Sequence, residues 1–236
     1  MTSPGTALHD SRPPRLSLRE RKYARTKLAL LETAIEKLRE KPLSDITVKE
    51  LCEEVQICEA TFFNYFPKKD DLLHYYIRIW TLEVTLKARE AVGEGAGLAF
   101  IEHIFQSTGR ELAEHPRIMQ EIIGHMALDP HGNTCHGTTE LTLAECRQAF
   151  PDQKCVESLA DVQLEHVFRP ALERAVELGE LPAAADLDAA LLSLVSIFFG
   201  VALWMCCNQP ENIGQAYQQQ LGLLWSGLGG TPRTPR

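Results

Sequence analysis

The stretch from Thr47 to Leu73, TVKELCEEVQICEATFFNYFPKKDDLL, constrains the fold of this chain more than any other. Thr47 is placed to cap a helix, because its hydroxyl accepts from an otherwise orphaned N–H of the first turn. Val48, Leu51, Cys52 and Val55 follow at i, i+3, i+4 and i+7, the apolar stripe of a short amphipathic helix. Gln56-Ile57-Cys58 breaks the pattern, and Glu59 to Phe66 forms a second short helix closed by Pro67. Two short helices joined by a tight turn predict a helix-turn-helix, whose second helix enters the major groove of DNA.

The run Thr61-Phe62-Phe63-Asn64-Tyr65-Phe66-Pro67-Lys68-Lys69-Asp70-Asp71-Leu72-Leu73 resembles the signature of the TetR family of bacterial transcriptional regulators. That signature is a Thr-apolar-Tyr-x-His/Tyr-Phe recognition helix followed by Lys and a Leu-rich helix start, and the similarity covers about residues 20–75. Three positions depart from it. Gln56 stands where the family has a turn glycine, and a positive φ there strains any residue but glycine. Cys58 replaces a capping serine, and Phe63 replaces a tyrosine whose hydroxyl donates to a DNA phosphate.

The resemblance implies an all-α protein: a three-helix DNA-binding head and a helical body that binds a small, apolar effector and forms a homodimer. By the same resemblance, two late helices, about 152–178 and 186–207, pair as an intermolecular four-helix bundle. The operator is then pseudo-palindromic double-stranded DNA. The chain divides into a basic arm (1–18), the head (19–67), the body (68–228) and a polar tail (229–236).

Lys49, Glu59, Ala60, Thr61 and Asn64 are the expected groove-facing residues. Lys bonds guanine, Glu accepts from cytosine, Asn matches adenine, and Ala or Thr methyls pack on thymine. Tyr65, Lys68 and Lys69 are expected on phosphates, which fix register without reading sequence. Thr47 and Phe63 complete the set. Phe62 and Phe66 read as core.

A net charge of −8 looks hostile to nucleic acid, but the charge is unevenly placed. Residues 1–70 hold 13 Lys/Arg against 11 Asp/Glu, and Arg12 to Lys27 contains seven basic residues opposed only by Glu20. Local cation placement governs phosphate affinity. No secretory leader is visible, and the apolar run Ala189 to Cys207 is interrupted by Ser193, Ser196 and Gly200, so no membrane span is expected. Seven scattered cysteines suit a reducing, cytoplasmic setting.

The body reads as successive helices: Lys68 to about Ala91, Leu98–Glu114, Pro116 to about Ala127, Thr139–Ala149, Asp152–Leu178, Asp186 to about Cys207 and Glu211–Leu228. Gly179-Glu180-Leu181 resembles a loop joining two late helices of the family. The resemblance also implies that some of the large body residues line an inducer pocket. Phe100, Ile104, Met119, Ile123, Met126, Phe168 and Trp204 are the candidates, with His103, His125 and Gln163 as polar contacts.

No catalytic motif of the serine-elbow, zincin, P-loop or dinucleotide-binding type is present, so no enzyme and no cofactor is expected. His131, Cys135 and His136 share a loop, but their spacing is unpaired and no metal is assigned to them. Adjacent Cys206 and Cys207 read as buried, inert thiols. A metal- or redox-sensing regulator on the same scaffold, or a helical enzyme, are the alternatives.

Overall fold

The computed structural model describes residues 16–93, 95–128, 141–153 and 163–230, in which ten α-helices and no strand occur. The helices are α1 (Leu18–Glu40), α2 (Val48–Val55), α3 (Glu59–Tyr65), α4 (Asp71–Val92) and α5 (Gly97–Glu114). They continue as α6 (Pro116–Leu128), α7 (Leu143–Ala149), α8 (Leu164–Glu177), α9 (Leu187–Asn208) and α10 (Ile213–Gly227). The expected arm, including Arg12 and Arg15, and the His131-Cys135-His136 loop lie outside the described residues.

Capping boxes open three helices. Ser17 with Glu20, Thr47 with Glu50, and Thr142 with Glu145 each satisfy two orphan donors reciprocally. α4 begins at Asp71, three residues later than expected, because the Lys68 N–H donates to the Asp71 carboxylate at 2.8 Å and Lys68–Asp70 form the turn before it.

In the head, Leu31, Leu38, Leu51, Phe62 and Phe66 are at most 4% exposed and hold α1 against the helix pair. α2 ends in a Schellman-type turn: Ile57 N–H reaches the Cys52 carbonyl at 2.9 Å, and Gln56 N–H reaches Glu53. Gln56 sits at φ 59°, ψ 47°, the one non-glycine in the left-handed region among the described residues. The suspected strain is real.

The body is built around α5. Its Phe105 stacks on Phe168 of α8 and meets Tyr217 of α10 edge-on, and the Tyr217 hydroxyl donates to the Phe198 carbonyl of α9 at 2.7 Å. α5 and α10 approach backbone to backbone, since a methyl on Gly109 would come within 2.9 Å of the Gly214 Cα. The Gly179-Glu180-Leu181 loop has a local reason. Gly179 takes φ 72°, Leu181 is buried, and the Glu180 carboxylate accepts the Leu98 N–H at the start of α5.

α9 corrects two expectations. Its serines do not interrupt it, because Ser193 and Ser196 donate to the carbonyls four residues back, at 2.7 and 2.8 Å. It is thus the one helix among the described residues long and apolar enough to cross a bilayer by length and composition. One face, with Ala190, Leu194, Phe198, Ala202 and Cys206, is buried in the body. Cys207, about 100° around the helix, is exposed rather than buried.

Candidate functional site

The recognition element presents an exposed edge and a buried back. Phe62 and Phe66 fill the core at 0 and 1% exposure, while Glu59, Ala60, Phe63 and Asn64 face outward. Phe63 is 47% exposed and only edge-packed on Phe62, so it belongs to the outer surface and not to the core. Thr61 is half-buried and shares a 3.1 Å contact with the Cys58 thiol, which does not cap α3. Hydrogen bonds from Thr61 hold that thiol below its ordinary pKa.

Lys49 is exposed beside Glu53 of its own helix, 3.8 Å away. Thr47 is occupied with capping α2. Lys41, then Thr47, hydrogen-bond Glu50 and hold its carboxyl down to about 2, tying the end of α1 to the start of α2. Tyr65 packs on Tyr23 of α1, ring centroids 4.6 Å apart. Tyr23 is a surface aromatic beside α3, 39% exposed, that no motif in the sequence marks.

Lys69 is engaged inside the head. Its ammonium donates to the carbonyls of Leu43, Ser44 and Ile46 at 2.6, 3.4 and 2.8 Å, which takes up all three donors. In this conformation its donors staple the turn before α2 and are not free for a phosphate oxygen. Lys68 is exposed.

Two features join head and body. Arg117 of α6 donates to the Glu40 carbonyl at the end of α1 at 2.9 Å. Deeper in, Lys27 of α1 meets Glu145 of α7 at 2.6 Å, with the two side chains 3% and 1% exposed. The Lys27 ammonium also lies 4.2 Å from the Tyr75 ring centroid. Burial, and then the Glu145 charge, raise the Tyr75 hydroxyl far above its ordinary pKa.

The body encloses a cavity of about 190 Å³ between α4, α5, α6, α8 and α9. Met119, Met126 and Gln163 of the expected set line it. The others lie elsewhere. Phe100 and Ile104 of α5 and Phe168 of α8 are core, at 8, 0 and 0% exposure. Ile123 packs on the core one position away from Ile122, which does line the cavity.

His103 is not in the lining either, and burial lowers its pKa. His125 lies against His74, Nε2 to Nε2 at 3.2 Å. Trp204 is 70% exposed on the outer face of α9 and is not in the lining of this cavity.

The residues that shape the cavity most were not singled out. Tyr76 and Trp80 of α4 form one wall and donate to the two oxygens of Glu111 on α5, at 3.2 and 2.9 Å. Burial, and then the Glu111 charge, push the Tyr76 hydroxyl well above its ordinary pKa, so it remains a donor. The same two aromatics also border a second cleft, of about 470 Å³, between α1, α4 and α7. They are a partition between the body cavity and the head junction.

Among the described residues no group of three or more His, Cys, Asp or Glu is arranged to hold a metal. Cys146 and Cys206 are buried, which raises both thiols to about 11 and makes them inert.

The family model "Bacterial regulatory proteins, tetR family" matches residues 30–76. No curated protein matches the chain. Among solved structures, FadR from Thermus thermophilus, a TetR-family transcriptional repressor in complex with lauroyl-CoA, aligns at 19% identity with a TM-score of 0.62, over 89% of this chain and 98% of that one. RolR in complex with resorcinol aligns at 16% identity and 0.58, over 89% and 91%. FadR from Bacillus subtilis, in complex with stearoyl-CoA, aligns at 15% and 0.58, over 85% and 98%. At these identities the structures establish a shared fold.

Proposed function

We propose that this chain, whose N-terminal domain is that of the bacterial TetR family, is a ligand-responsive DNA-binding regulator, and a repressor released from its operator by a small molecule. The observation that carries the DNA half is the α3 surface, where Glu59, Ala60, Phe63 and Asn64 stand clear of a core that Phe62 and Phe66 fill. Lys49, Thr61 and Asn64 read base edges, while Tyr65 and Lys68 face the backbone. The effector half rests on the cavity, and on fold relatives whose structures hold acyl-CoA or resorcinol.

The chain acts as a homodimer. In the body, four large apolar side chains of α9 and α10 are exposed, Leu192, Leu203, Trp204 and Leu223 at 53–70%, against one at the end of α8, Leu178 at 47%. The outer face of α8 instead carries Glu165, His166 and Glu173. These exposed apolar side chains support α9, the expected 186–207 helix, as one pairing helix, with α10 rather than 152–178 as the other. Two heads on a two-fold axis require two half-sites.

An effector that fits the cavity only when α4 is displaced lowers operator affinity by its differential affinity for the two states. Selection of bound duplexes from a random library tests this reading. An inverted repeat, lost with Asn64→Ala and Lys49→Ala, is expected. Enrichment of no sequence, or a monomer at micromolar concentration, overturns it.

A further inference from the structure

The proposed effector site carries a carboxylate on its wall, Glu111 of α5. Among the described residues its hydrogen-bond partners are two neutral donors, the Tyr76 hydroxyl and the Trp80 indole. A carboxylate accepts about four hydrogen bonds, so two neutral partners leave acceptor capacity directed at whatever enters. The remaining lining is largely apolar, with Leu112, Ile118, Met119, Ile122, Phe198 and Phe199 closing around it. Of the other polar residues there, His74 is engaged with His125, Thr81 donates to the Ile77 carbonyl, Arg78 has its own polar interaction, Glu165 is exposed, and His115 and Gln163 complete the set.

In such a setting a second carboxylate meets like-charge repulsion and loses its hydration, whereas a hydroxyl or an ammonium gains a charge-assisted hydrogen bond. Resting on the effector reading above, we infer that Glu111 sets the ligand class: a small apolar molecule bearing a hydrogen-bond donor, an alcohol, phenol or amine, and not an organic acid. Tyr76 and Trp80 would share Glu111 with the incoming donor, so recognition takes place on the wall that α4 supplies.

Three probes with one hydrocarbon tail separate the possibilities: hexylamine, hexanol and hexanoate, titrated into the full chain near neutral pH by calorimetry. Hexylamine and hexanol are expected to bind at least about ten-fold more tightly than hexanoate. Glu111→Gln, which keeps the side-chain shape, is expected to bring the three to within roughly three-fold of one another. Glu173→Gln on the outer face of α8, away from the cavity, should leave the wild-type order intact. A melting curve establishes that each variant is folded.

Hexanoate binding as tightly as the amine, or an order of affinities unchanged by Glu111→Gln, overturns the assignment and leaves the cavity as an effector site. Failure of all three probes to bind at millimolar concentration overturns the effector reading itself.

Discussion

Glu145 and Glu111 are both carboxylates drawn back from water, and the molecule treats them in opposite ways. Glu145 is sealed at the junction of head and body, matched by Lys27 at 2.6 Å and by the Thr142 hydroxyl and N–H at 2.6 and 2.7 Å. Glu111 has two neutral donors and an open space beside it. A charge that is close-packed against its opposite specifies one geometry. A charge that is half compensated beside a void is free to select a visitor.

The sharpest way to break this comparison is to remove Lys27. Lys27→Met strands the Glu145 carboxylate, and a loss of about 3–5 kcal/mol is expected, seen as a melting temperature lower by roughly 10 °C. Adding Glu145→Leu should recover much of that loss, because two apolar side chains have no charge to strand. A single variant that melts like the parent would show that the pair is not the sealed charge described here.

Lys69→Ala comes next, since it removes charge-assisted bonds to the turn at Leu43–Ile46. Chemical denaturation should show a loss of about 1.5–3 kcal/mol, with the salt dependence of DNA binding unchanged. A salt slope lower by about one unit would return Lys69 to the phosphate backbone. Gln56→Gly relieves the left-handed strain and should stabilise the head by about 1 kcal/mol. A destabilised Gln56→Gly protein would mean that Gln56 makes contacts worth more than its strain.

The smallest effect belongs to Glu111→Gln, expected to move stability by less than about 1 kcal/mol, because the amide carbonyl still accepts and the void tolerates adjustment. If it costs as much as Lys27→Met, the two carboxylates are alike and the comparison fails.

The fold was legible where local chemistry repeats it. Thr47 and Glu50 announce α2, the 48-51-52-55 stripe gives its buried face, and Phe62 and Phe66 sit where the recognition-helix pattern puts them. Gln56 could be flagged in advance because its strain is a property of one residue's backbone. The cavity was less legible, since a large apolar residue looks the same in sequence whether it faces a void or another side chain. Phe100, Ile104 and Phe168 went to the core, while Met119 and Met126 reached the void. A usable hint was present. Glu111 lies at i+7 from Ile104 and i+3 from Thr108, on an α5 face that is buried at both of those positions. A carboxylate in that place needs donors, and Tyr76 and Trp80, one turn apart on α4, are such a pair. Trp204 shows the reverse failure: its size suggested enclosure, but the surface it covers belongs to the outside of α9.

The close approach of α5 and α10 at Gly109 and Gly214 has a mechanical consequence. With no side chain between them, the two backbones have no soft layer to compress, and together they behave as one stiff plate. Glu111 is mounted on that plate, two residues beyond Gly109. Tyr76 and Trp80, which grip it from α4, have cleft on their far side and can recoil. A guest wedged against Glu111 therefore pushes on an anvil and a spring, and the spring is the helix that runs down to the recognition element.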